Sequence, residues 1–124
     1  MTLAGLVREH FEQPCNAGGL LEPAPAVGTG LAGKVQSGVY VIFQLRVGVD
    51  GRIDAARWEC MGPPAAIAAA SWLSQRLAGV TPGQARAWTA LTVGDELGLE
   101  PEALSGVLPV EDALQAALNA LDIE

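Results

Sequence analysis

In Val39-Tyr40-Val41-Ile42-Phe43-Gln44-Leu45-Arg46-Val47 every odd position is apolar, while the even ones turn polar at Gln44 and Arg46. That is the period-two pattern of a strand with one buried face. Val49-Asp50-Gly51-Arg52 follows, and its Asp-Gly step favours a tight hairpin. Ile53 to Met61 is therefore expected to return antiparallel beside the first strand. Upstream, Val27 to Val35 reads as a third, weaker strand, diluted by Gly28, Gly30 and Gly33.

Outside the strands the period changes. Ala66, Ile67, Ala70, Leu73 and Leu77 share one helical face, with Pro63 and Pro64 at its start and Gly79 beyond its end. Thr81-Pro82-Gly83-Gln84 has the form of a capping box, and Thr92-Val93-Gly94-Asp95 reads as the start of another short helix. A last helix is expected from about Pro109, with Glu111 and Asp112 near its positive end and Ala113, Leu114, Ala117, Leu118 and Leu121 buried. At the other end of the chain, Leu3, Leu6, Val7, His10 and Phe11 recur at helical spacing before Pro14. Residues 14–26 hold Pro14, Gly18, Gly19, Pro23 and Pro25 and read as an irregular connector. Helix, three strands, then helices predicts one α+β domain over residues 1–124: a small three-stranded antiparallel sheet with helices packed on one face.

The chain has 124 residues, enough for one self-sufficient core. No apolar run reaches the roughly 18 residues of a membrane-spanning helix, and the first residues lack a basic stretch before an apolar one. A cytoplasmic protein without membrane attachment is the expectation. Fourteen acidic against seven basic residues give a net charge of -7, which repels nucleic-acid phosphates and argues against that class of partner. Cys15 and Cys60 are expected to be reduced thiols rather than a disulfide.

His10 to Gly18, Val27 to Gly33, Gly62 with Ala66-Ile67-Ala68 and Ser71, and Glu111-Asp112-Ala113 with Ala116-Ala117 together resemble the IscU type of iron-sulfur cluster scaffold, which is also the N-terminal module of NifU proteins. His10-Phe11-Glu12-Gln13-Pro14-Cys15-Asn16-Ala17-Gly18 is similar to that family's H-[YF]-x-x-P-R-N-x-G opening. Val27-Gly28-Thr29-Gly30-Leu31-Ala32-Gly33 is similar to V-G-x-G-x-x-G. Gly62, Ala66-Ile67-Ala68 and Ser71 fit the frame of G-C-G-x-A-I-A-S-S-S, and Glu111-Asp112-Ala113 with Ala116-Ala117 fits E-D-A-x-x-A-A. The resemblance spans nearly the whole chain and implies a SufE/IscU-like fold.

It also implies where a cluster would be held, and the residues there differ. The family uses three cysteines helped by a histidine and an aspartate, since thiolates suit iron and sulfide. Its A-C-G-D falls on Gln36-Ser37-Gly38-Val39, its G-C-G on Gly62-Pro63-Pro64, and its H-C-S on Ser105-Gly106-Val107. The five ligand positions are thus Ser37, Val39, Pro63, Ser105 and Gly106. No cofactor or metal is expected in the usual pocket; iron or a cluster would need ligands other than the family's. The family's L-P-P-V-K chaperone peptide falls on Leu99-Glu100-Pro101-Glu102-Ala103, where Leu99 and Pro101 remain as partner-binding candidates but the lysine does not.

The remaining chemistry is sparse. Cys60, two residues before Gly62, is either a small buried hydrophobe or a displaced ligand or persulfide acceptor. Cys15 replaces the family's arginine in the connector and is the more accessible thiol, with no basic cluster beside it to activate it. His10 is structural by the family analogy. Trp58 on its strand suits the core, whereas Trp72 falls off the apolar face of its helix and is a candidate partner contact. No catalytic residues are expected. Three functions follow: a protein-binding relative of the scaffolds whose partner is a cysteine desulfurase or an authentic scaffold, a SufE-like persulfide acceptor using Cys60 or Cys15, or a scaffold with relocated ligands, including Cys15 and Cys60 pooled between two chains.

Overall fold

The computed structural model describes residues 5–121. Strands β1 (Val27–Lys34), β2 (Val39–Val47) and β3 (Ile53–Met61) form one antiparallel sheet in the order β1-β2-β3. The alternation in β2 has the expected consequence: Val41, Phe43 and Leu45 are fully buried. Across the ladder Phe43 opposes Trp58, Leu45 opposes Ala56 and Val41 opposes Cys60, so these residues share one face. The hairpin loop is longer than a two-residue turn. The register shifts between Arg46 and Val47, Gly51 takes a left-handed φ of 79°, and Asp50 Oδ1 accepts from the Arg52 amide at 3.1 Å. Val35 leaves β1 for a 3-10 turn, Val35–Ser37, that leads into β2 through left-handed Gly38.

Helices cover the Phe43 face. Helix α5 (Leu104–Asn119) lies over β1 and β2, and α2 (Pro64–Arg76) lies over β3. The glycines of β1 permit the first contact. A Cβ on Gly28 or Gly30 would overlap the backbone carbonyl oxygen of Ala117 or Ala113, so α5 rests its backbone directly on the strand. On the opposite face the 14–26 connector crosses β2. Gln44, only 5% exposed, accepts from the Leu21 amide at 2.6 Å and donates to the Leu21 carbonyl and to Thr29 Oγ1.

Helix α1 (Gly5–Glu12) packs on α2. Of its expected apolar face, Val7 and His10 are buried, Leu6 and Phe11 are more exposed, and Leu3 lies outside the described residues. Flanked by α1, α5 and β3, α2 is buried almost all round. This corrects the expectation for Trp72. It is 3% exposed, stacked edge-on against Trp88 with ring centres 5.1 Å apart and with the Arg76 guanidinium 5.0 Å from its ring. Trp72 is a core residue, because a helix with neighbours on several sides has no free face to place it on.

Two helix starts also move. The capping box at Thr81 and Gln84 opens the single turn α3 (Pro82–Ala85) as expected. Helix α4 (Ala90–Leu97), however, is capped by Thr89, which forms a reciprocal box with Thr92, three residues before the expected start. Gly98, at φ 69°, ends α4 with bonds from its own amide to Asp95 and from the Leu99 amide to Gly94. The last helix begins at Leu104 and carries Pro109 inside it. Proline lacks the amide that would reach the Ser105 carbonyl and its ring crowds that same carbonyl, but Ser105 is exposed, so water can take the freed acceptor and the helix continues through it.

Candidate functional site

At the end of the sheet where β2 begins and β3 ends, the helix-facing layer meets the starts of α2 and α5. A Cβ built on Gly62 would stand 3.5 Å from a methyl of Val39 and 3.6 Å from the Ala66 Cβ. One on Gly106 would stand 3.0 Å from Pro63 Cγ. Three of the five positions where the resemblance places ligands, Val39, Pro63 and Gly106, therefore line one small region, on three different elements. The strand pleat presents Val39 to it, the two prolines fix the entry to α2, and the first turns of α5 bring Gly106 across.

The chemistry of this region is apolar. Val39, Pro63 and Gly106 bring methyls, a ring and bare backbone in place of donors. Ser37 and Ser105 keep hydroxyls, but both are exposed and turned back on their own chain. Ser37 Oγ donates to the Lys34 carbonyl at 2.8 Å, and Ser105 Oγ makes a long 3.5 Å contact with the Glu102 carbonyl. No group of three or more His, Cys, Asp or Glu residues suited to a metal occurs among the described residues. Iron prefers anionic thiolates, and two turn-bonded hydroxyls do not make such a donor set.

Cys60 lies beneath this region. Its cross-strand partner is Val41, one step further into the layer than Val39, so the thiol belongs to the same face but to the packed layer below. It is half-buried against the core, and burial alone pushes the thiol up to about 11. Both cysteines are free.

Cys15 is held by its backbone. Its amide donates to Ser71 Oγ at 2.8 Å, and its carbonyl accepts from Trp58 Nε1 at 2.7 Å and from Ser74 Oγ at 3.2 Å. Ser71 Oγ also lies 2.7 Å from His10 Nδ1. Since Ser71 accepts from Cys15, its own proton is available to the ring, which suits a neutral imidazole. His10 is thus structural as expected, 6% exposed and held below its ordinary value, first by burial. Cys15 is half-exposed rather than open. This buried polar cluster was not foreseen as a unit; two serines at i, i+3 in an otherwise alanine-rich helix are the signal that marks it. It ties the connector to α2, and an isolated bridge from Ala17 to Trp58 ties it to β3.

The remaining partner candidates lie after α4. Leu99 is half-buried against the core, while Pro101 is exposed in the turn Pro101–Ala103 between exposed Glu100 and Glu102. Pro101 alone of the two presents a free side chain.

Comparison with known proteins gives one consistent picture. The family described as the NifU-like N terminal domain matches residues 4–122. The iron-sulfur cluster assembly scaffold protein IscU of Azotobacter vinelandii is 31% identical over 119 residues, covering 96% of this chain and 93% of that protein. Among solved structures, a candidate iron-sulfur cluster assembly scaffold protein for the SUF system of Fervidobacterium islandicum superposes with a TM-score of 0.66 at 13% identity, over 93% of this chain and 95% of the other. The N-terminal part of a nitrogen-fixing NifU-like protein of Brucella abortus gives 0.59 at 21% identity, over 96% and 88%. At such identities the structures speak for the fold. That fold is the α+β arrangement with one antiparallel sheet, as the sequence predicts.

Proposed function

This chain belongs to the NifU-like N terminal domain family, and on that premise we propose that it serves iron-sulfur cluster assembly by binding a component of the machinery rather than by holding a cluster in the family's pocket. The component is a cysteine desulfurase or an authentic scaffold, encountered in the cytoplasm. The observation that carries the reading is that Pro63 Cγ stands 3.0 Å from where a Gly106 Cβ would be, beside a Val39 methyl 3.5 Å from where a Gly62 Cβ would be. Side chains that meet the ligand positions with methyls and a proline ring preserve the frame and its outer surface while removing the donors. No helix among the described residues is long and apolar enough to cross a membrane, in keeping with a soluble setting. The protein has no catalytic role in this account.

Calorimetric titration of the chain with the desulfurase and with the IscU-type scaffold of its own cell tests the proposal. Saturable binding to one of them, in the absence of iron and sulfide, is expected. Lack of binding to both would remove the binding role.

Sulfur transfer through Cys60 is disfavoured by the same geometry. A thiol held at about 11 is ionised in only about one molecule in ten thousand at pH 7, and it is half-buried against the core.

A further inference from the structure

Charge is divided unevenly along the chain. Residues 1–86 contain seven basic and six acidic side chains, whereas residues 87–124 contain eight acidic ones and no Lys, Arg or His. Four of the eight, Asp95, Glu96, Glu111 and Asp112, stand on α4 and α5, and Glu100 and Glu102 lie in the segment that joins these helices.

The two helices run antiparallel across a shared seam. Near the C-terminal end of α4, a Cβ on Gly94 would meet the Leu104 side chain; at its N-terminal end, the Ala90 amide donates to Glu111 Oε1 at 2.6 Å. Interpolating between these contacts places Leu91 across the seam from Leu108. Each lies on the outer rim of its helix: Leu91 is 59% exposed and Leu108 49%. One turn further along each helix, on the same side, stand exposed Asp95 and Asp112. The basic residue closest in sequence, Arg86, lies at the far end of the seam, 3.4 Å from Gln115 Oε1.

From this juxtaposition we infer that the α4–α5 seam is a docking face for a basic, leucine-bearing helical segment of a partner protein. Two exposed leucines supply an apolar anchor, and the carboxylates on either side select cationic flanks. A second copy of this chain does not fit, because it would bring the same carboxylates together. The inference deepens the binding role proposed above by naming a surface, and it rests on that role for its biological setting. The seam itself is testable apart from any particular component.

A 16-residue amphipathic peptide of leucine and lysine, and its counterpart with glutamate for lysine, serve as probes against the 15N-labelled full chain. The lysine peptide is expected to shift the amides of Leu91, Asp95, Leu108 and Asp112 first, with affinity falling at least fivefold between 50 and 200 mM salt, on the order expected for a few ion pairs. The glutamate peptide is expected not to bind. Leu91→Ser with Leu108→Ser should weaken binding at least tenfold, and Asp95→Asn with Asp112→Asn should flatten the salt dependence, both without altering the circular dichroism melt. Shifts centred elsewhere, equal binding of the two peptides, or a dimer of the free chain dissolved by the leucine substitutions would each overturn the inference. If the seam passes while desulfurase and scaffold both fail to bind, the surface stands and the choice of component falls.

Discussion

Gly106 on α5 lies against Pro63 at the start of α2, so that a Cβ on the glycine would stand 3.0 Å from the proline Cγ. These two positions belong to different helices, and in the resembled family both carry cysteine. Here they close on each other. The proline can be tolerated because Gly106 leaves room for its ring, which makes the two residues one packing unit.

That coupling can be measured. Gly106→Ala should gain about 1 kcal/mol from helix propensity but lose most of it to the Pro63 contact. In a Pro63→Ala background the same change should stabilise by nearly the full amount. A double-mutant cycle in urea is expected to give a coupling of about 0.5–1 kcal/mol. Strict additivity would show that the two do not touch.

Gly28 and Gly30 set how closely α5 approaches the sheet. Alanine at either would overlap a main-chain carbonyl of α5, an atom that cannot turn aside as a side-chain end can. Either substitution should cost about 3 kcal/mol or more, at the upper end of overpacking effects. Urea midpoints check this, and Gly18→Ala, where no atom lies within 4 Å, is the comparison for a positive-φ glycine in open space.

The His10 cluster should give stability a pH dependence. Burial is the largest cause holding the imidazole below 6.5, with Glu9 opposing it and Arg76 adding to it. The unfolded chain therefore binds the proton at higher pH than the folded one. The contribution is fully present above about pH 6.5 and is lost as pH falls below it, until the folded ring is protonated too. Urea midpoints between pH 5.5 and 7.5 should rise with pH, and His10→Gln should flatten that rise. Ser71→Ala, which strips a partner from both His10 and the Cys15 amide, should cost about 2–3 kcal/mol. An unchanged slope in His10→Gln would assign the pH response to other groups.

Cys60 should be slow to react. A rise from 9.0 to about 11 lowers the thiolate fraction at pH 7.5 roughly a hundredfold before access is considered. Iodoacetamide labelling followed by peptide mass spectrometry is expected to modify Cys60 in the native chain at less than about one-tenth the rate seen in urea. Equal rates would restore it as a candidate sulfur acceptor.

The sheet was legible because its signal is local. Alternation in β2 and the Asp50-Gly51 step determine strand bounds that the structure reproduces for β2 and β3. The errors arose where a residue's role depends on neighbours remote in sequence. Trp72 lies off a stripe that one face of α2 would bury, but α1 and the Trp88 segment cover the other faces. Pro109 marks a helix start only if its missing amide matters, and in α5 the affected carbonyl belongs to exposed Ser105. Thr92 resembles a cap and is one half of a cap, but the other half is Thr89. For the site, the family resemblance indicated five positions without their geometry. The fold adds that three of them, Val39, Pro63 and Gly106, line one apolar region, while the serines serve local turns.

Anaerobic reconstitution with ferrous iron and sulfide separates an emptied pocket from relocated ligands, comparing the natural chain with a variant carrying Ser37→Cys, Val39→Asp, Pro63→Cys, Ser105→His and Gly106→Cys. After desalting, the natural chain is expected to be colourless with no bound iron, while the variant gains iron and visible absorbance. A stable cluster on the natural chain, retained when Cys15 and Cys60 are left intact and lost when they are replaced by serine, would contradict the account and show that the ligands have moved rather than gone.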